Sequence, residues 1–368
     1  MVGNALRAIF ALVLTLALGS CCIHQEPKPP VPEPEPSDTR PFRLDLRFSL
    51  DMPLLGEFVY EAGSVAKSRS RGPEEAQLPH DARYTINAYR ISRAGEVTRK
   101  PDATVVFTKP VTADLDTIVE ICIPDGDYRL ITFIDFVDAG SMADKYYDTS
   151  DFEEIILSDR KNHSGSNPWR ETFVGTAETS IVSTEADGTV SRAPVNEARI
   201  ELERPMAKYR FVSTDLKRFI EQSAARSRKN AAEADSKGDE PSRAPALEDY
   251  KVKMVYTGYM PCSFNMFTNR PADSWTGVVY DSTIRAINEN EAEVAFDYVF
   301  VNGHDTGVSV AMEVYDTDNT LLARIPAFDV PLKRSMLTIV RGEFLTTKAG
   351  GAIGIVPDFD GEFNIEIK

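Results

Sequence analysis

Short runs in which apolar and polar residues alternate recur along this chain and constrain it more than any other feature. Phe42, Leu44, Leu46, Phe48 and Leu50 fall on one face of an extended segment, with Arg43, Asp45, Arg47 and Ser49 on the other. That period of two marks a half-buried strand. Similar runs cover residues 84–90, 103–107, 118–123 and 128–134, then 198–202, 207–212, 251–256, 294–301, 308–315, 337–340 and 363–367. Turn chemistry separates them, as at Pro124-Asp125-Gly126-Asp127 and Ala186-Asp187-Gly188-Thr189. No strand alternates with a long helical pattern, so a doubly wound parallel sheet is disfavoured. The expected fold is all-β, with little helix, in two tandem antiparallel β-sandwiches over residues 41–197 and 198–368. One helix is expected from an N-cap at Ser213-Thr214-Asp215 through Gln222. The Ala-, Ser- and charge-rich stretch 223–245 has no aromatic or β-branched residue and is expected to be a mobile insertion.

Composition narrows the function. The 368 residues carry 41 Lys+Arg against 57 Asp+Glu, a net charge of −16, which is the wrong sign for a nucleic-acid partner. With 4 Cys and 4 His, the chain can support neither a disulfide framework nor an obvious metal site. His24, His80, His163 and His304 read as solvated loop residues, while Cys122 and Cys262 read as small buried hydrophobes. A Cys122–Cys262 bridge would have to join the two sandwiches. Asp316-Thr317-Asp318-Asn319 and Asp358-Phe359-Asp360-Gly361-Glu362 do not complete a calcium loop and read as turns. No convergent acid, base and nucleophile emerge, so neither an enzyme, a cofactor nor a metal is expected.

The N-terminus supplies location. Arg7 precedes the apolar run Ala8–Leu18, and Leu18-Gly19-Ser20-Cys21 resembles the bacterial lipobox. Residues 1–20 read as an export signal, with Cys21 as the lipidation site. Each buried methylene of its acyl chains would contribute about 0.8 kcal/mol of anchoring. A cleaved secretory signal with an incidental cysteine is the competing reading. Residues 21–40, rich in proline, read as a stiff extended tether. The long irregular stretch 54–81 holds an exposed basic cluster, Lys67-Ser68-Arg69-Ser70-Arg71, of the kind proteases attack.

Lipobox, tether, leading strand, basic loop and β-rich body, taken in that order, resemble the fimbrillin superfamily of Bacteroidales, the FimA-like fimbrial subunits and their accessory lipoproteins. The segment from Val330 to Thr346 is similar to the closing pattern of that superfamily, in which a proline-leucine-basic stretch is followed by Asn, Thr, Gly and a final Leu-Thr; here Ser335 stands where Asn is usual. Ala207-Lys208 after Arg204-Pro205-Met206 resembles the opening of its second domain. The resemblance implies transthyretin-like sandwiches and an outer-membrane, lipid-anchored precursor displayed on the surface or in a fimbrium. It also implies removal of the first strand by an Arg-specific protease. The opened groove would then take a strand from another subunit. On this reading Leu44, Leu46, Phe48 and Leu50 are the strand's groove-filling residues, and Arg71, then Arg69, mark the cut. An uncut loop in a permanently anchored accessory protein is the alternative for that loop. Partners would be other fimbrial subunits or host and bacterial surface ligands. The competing function is a glycan-binding outer-membrane lipoprotein of a polysaccharide-uptake system, in which Trp169 and Trp275 stack on sugars.

Overall fold

Alternation along the chain becomes alternation in space. A computed structural model describes residues 39–48, 80–111, 115–181, 197–237, 245–302, 306–347, 357–360 and 362–367. In it the first strand, β1 (Thr39–Phe48), fully buries Phe42, Leu44 and Leu46 and turns Arg43 outward. The N-terminal half continues with β2 (His80–Arg90), β3 (Ala103–Pro110), β4 (Thr117–Pro124), β5 (Gly126–Asp138), the short β6 (Tyr147–Asp148) and β7 (Ile155–Leu157), β8 (Phe173–Ile181) and β9 (Glu197–Leu202). Two sheets, ordered β3–β2–β5–β8 and β4–β1–β9, enclose one apolar core. The larger sheet is antiparallel throughout, whereas β1 runs parallel to β9.

The C-terminal half holds β10 (Met206–Ser213), the helix α1 (Leu216–Lys237), β11 (Lys251–Tyr256), β12 (Met260–Pro261), β13 (Ser263–Asn265), β14 (Arg270–Pro271), β15 (Ser274–Trp275), β16 (Val279–Thr283) and β17 (Arg285–Ala286). It closes with β18 (Ala292–Phe300), β19 (Thr306–Tyr315), β20 (Leu321–Leu332), β21 (Leu337–Gly342), β22 (Pro357–Asp360) and β23 (Glu362–Ile367). Its main sheets are ordered β17–β18–β10–β21–β23–β22 and β16–β11–β19–β20. The first carries two parallel pairings, β10 with β21 and β21 with β23. The fold is thus all-β, two sandwiches of mainly antiparallel sheets. From Arg40 to Lys368 the chain is one compact unit. A small sheet, β14–β13–β7–β6, draws strands from both halves. Accordingly Phe133, Tyr147 and Ile155 share a core with Phe264 and Phe300.

Four expectations change. Ser223–Lys237 is helical, continuing α1, where no ordered structure was expected. Ala, Arg, Lys and Glu form helix well without burying a face, and the first two turns are anchored: Leu216 and Phe219 are buried, Phe219 lies edge-on to Tyr250 at 4.8 Å, and Ser223 Oγ hydrogen-bonds Tyr250 Oη. Residues 238–244, the rest of that insertion, lie outside the described residues. The strand over 198–202 was grouped with the second sandwich but pairs with β1, and Ile200 and Leu202 enter the N-terminal core; the polar loop ahead of it resembled a boundary. Cys122 is exposed because it sits between the inward Ile121 and Ile123. His80 and His163 are buried by the contacts described below. The sequence pattern also missed β8 and β20. Pro326 and Pro331 obscure β20, and they are tolerated because it is a sheet edge.

Candidate functional site: the first strand and its groove

Strand β1 fills the middle of its sheet. With β4 on one side and β9 on the other, both of its backbone edges are paired. Register along β9 sets Leu44 beside Ala198, Leu46 beside Ile200 and Phe48 beside Leu202. Phe42, Leu44 and Leu46 lie in one core with Ile121 and Ile123 of β4, Ile200 and Leu202 of β9, and Ile134, Phe136 and Phe173 of the facing sheet. Complete burial of three such side chains is worth about 1.5–3 kcal/mol each, as an upper bound. The strand's end is clamped. The Phe48 N–H donates to Asp116 Oδ1 at 2.9 Å, Arg47 Nη1 donates to Asp116 Oδ2 at 3.0 Å, and the Phe48 ring meets Phe173 edge-on at 4.7 Å.

Contacts that do not involve β1 hold the groove walls. On the β9 side, Val174 and Glu203 exchange two backbone hydrogen bonds of 2.8 Å. Gly175 lets β9 come so close that an added Cβ would lie 2.3 Å from Ile200 Cγ2 and 2.7 Å from the Glu201 carbonyl oxygen. On the β4 side, Lys109 Nζ donates to the Asp116 carbonyl at 2.8 Å. A tight turn then carries β4 into β5, with Gly126 at φ +153°.

Of the other sequence-derived positions, Cys122 lies in the neighbouring β4 and Trp169 packs against the core that β1 fills. Cys21, Arg69, Arg71 and Leu50, with His24, His304 and residues 21–38 of the tether, lie outside the described residues, while Thr39 and Arg40, expected in the tether, begin β1. Trp169 is half-buried, one ring face stacked on His80 at 4.3 Å and its edge toward Phe136. Trp275 is half-buried in β15 against the C-terminal core. Cys262 is buried and free, its thiol pushed up to about 12 by burial. Asp316 Oδ1 accepts from the N–H groups of Asp318 and Thr320, which makes that acidic stretch a turn. Among the described residues no cluster of three potential metal ligands occurs, and no helix is long and apolar enough to cross a membrane.

Sequence reasoning missed a buried polar cluster between the halves. Arg170, in the 3₁₀ turn Pro168–Arg170, donates to Asp297 Oδ1 in β18. Asp297 Oδ2 lies 2.6 Å from His163 Nε2 and accepts from Tyr256 Oη at 2.7 Å. Tyr209 then links Tyr256 and Tyr280 at 2.9 and 3.1 Å. Burial alone would raise the Asp297 carboxyl, but Arg170 and His163 hold it down at about 2. Burial, then Arg170, keeps the His163 imidazole below its ordinary value. A second buried pair, Arg204 with Glu171, lies nearby. The cluster is closed to solvent and contains no activated nucleophile. Its chemistry is that of a pin between halves.

A family model matches residues 39–368, nearly the whole of the β-rich body. The chain belongs to DUF6562, a family of unknown function. This DUF6562 chain is also similar to solved structures. One is the fimbrial anchor protein Mfa2 from Porphyromonas gingivalis, at 12% identity over 77% of this chain and 82% of that one, with a TM-score of 0.35. Another is a fimbrial assembly protein from Parabacteroides distasonis, at 9% identity over 85% and 93%, with a TM-score of 0.33. No curated protein sequence matches the DUF6562 chain.

Proposed function

We propose that this protein is a fimbrillin-like cell-surface lipoprotein, anchored through Cys21, that serves as a structural or adhesive subunit and carries out no catalysis. It assembles by β-strand exchange: cleavage after Arg71 or Arg69 frees β1, and a strand from another subunit takes its place. One observation carries the reading. A central strand with three fully buried apolar side chains lies between walls braced by other contacts, and in sequence a basic loop follows it. Loss of that strand would expose two unpaired backbone edges and a row of apolar pockets. Strand addition satisfies both, through main-chain bonds and alternate side chains.

Mass spectrometry of the native N-terminus tests this. Assembled protein is expected to start at Gly72 or Ser70, and unassembled precursor at acylated Cys21. Assembled protein that still contains Arg43–Leu50 overturns strand exchange, and a precursor with unmodified Cys21 overturns the anchor.

A further inference from the structure

The inner face of β2 feeds the core, whereas its other face is polar yet still buried. Arg83, Thr85 and Asn87 occupy successive positions on that face and are 3%, 6% and 7% exposed. Segment 142–152 overhangs them and leaves an open cleft of ≈470 Å³, inside the size range of ligand sites, roughly 300–1,000 Å³. Its floor is pre-ordered. Thr104 Oγ1 donates to Asn87 Oδ1 at 2.6 Å, and Asn87 Nδ2 donates to Tyr89 Oη at 3.0 Å. Among the described residues the Thr85 hydroxyl has no protein partner.

Charge and backbone narrow the occupant. Asp135 holds the Arg83 guanidinium through two bonds of 2.9 and 2.7 Å, and Asp144 takes its remaining arm at 2.7 Å. Arg99 pairs with Glu153 at 3.3 Å. The cleft's cations are therefore neutralised, and Asp151 leaves the rim acidic, so an anion is disfavoured. Strand β2 is paired on both edges, with β3 and β5, so a peptide cannot add to it as a strand. Hydroxyls, an amide and carboxylates suit a neutral ligand rich in hydroxyl groups. We infer that this cleft binds a segment of an uncharged oligosaccharide. The inference does not rest on strand exchange, because the site is complete with β1 in place.

Amide NMR titration of the intact chain tests it, with maltotetraose, cellotetraose and mannotetraose as neutral probes, a heparin tetrasaccharide as the anionic probe and an unstructured decapeptide. At least one neutral probe at millimolar concentration is expected to shift amides of Arg83–Tyr89 and Met142–Phe152. Thr85→Val and Ser150→Ala, which leave the core intact, are each expected to weaken that binding about fivefold, the loss of one hydrogen bond. The inference is overturned if no neutral probe shifts these amides, if only heparin or the peptide does, or if both variants bind as tightly as the parent.

Discussion

Asp297 and Asp135 are each the single acid within an almost wholly apolar run inside a longer strand, Val294–Phe300 and Ile131–Val137, and each is met by an arginine from another element. An isolated charge inside such a run could have flagged these pins from sequence. Their partners, Arg170 and Arg83, could not be named, because pairing across 127 or 52 positions depends on topology. Asp297→Asn leaves Arg170 buried beside a neutral amide, so it should cost about 3–5 kcal/mol in chemical denaturation. His80 carries a pH dependence. Burial, then Lys145, lowers its imidazole to about 4 against the pull of Asp138. Between about pH 6.5 and 4 the unfolded chain therefore binds a proton that the folded chain does not, and stability falls as pH falls, by up to about 1.4 kcal/mol per pH unit. Melting curves at pH 7 and pH 5 should show a smaller drop for His80→Gln than for the parent; equal drops would contradict the assignment. Ser335 is at φ +61°, a left-handed conformation that Asn adopts more readily than Ser.

At the level of elements, strands with strict alternation were legible: the apolar face of β1 and the bounds of β11 read directly from the residues. Strand β8 was not, because its inward Gly175 interrupts the pattern. Only the structure shows that this glycine makes room for β9. Gly175→Val should push β9 away from β8 and cost about 1–3 kcal/mol as overpacking. The matching hydrogen-exchange result is faster exchange along Glu197–Leu202, with β2 and β5 unchanged. Helix α1 shows the opposite error. Lack of apolar surface is not lack of order, because a run of strong helix formers behind anchored first turns continues as helix to Lys237. The anchor itself is tertiary: Asp215 accepts from the N–H of Thr346 at 2.8 Å, and Arg218 donates to Glu343 at 2.5 Å.

For the whole molecule, fold class could be read from strand spacing, whereas the fusion of the halves could not. Parallel partners such as β1 with β9, or β10 with β21, are joined by no local turn, and the shared core requires strands from distant segments to meet. The proposed strand exchange requires the neighbours of β1 to stay in place without it. Its neighbours are held by Gly175, by the Val174–Glu203 bridge and by Lys109, and none of these contacts passes through β1. The most direct measurement nicks the purified intact chain after Arg69 or Arg71 with an Arg-specific protease. The nicked protein is then incubated with isotope-labelled peptide spanning Thr39–Leu50 and analysed by native mass spectrometry. Labelled peptide is expected to replace β1 while the body stays folded, and a peptide carrying Leu44→Asp and Leu46→Asp is expected not to enter. Retention of the original strand with no exchange under mild denaturant, or unfolding of the body whenever the strand departs, would contradict strand exchange.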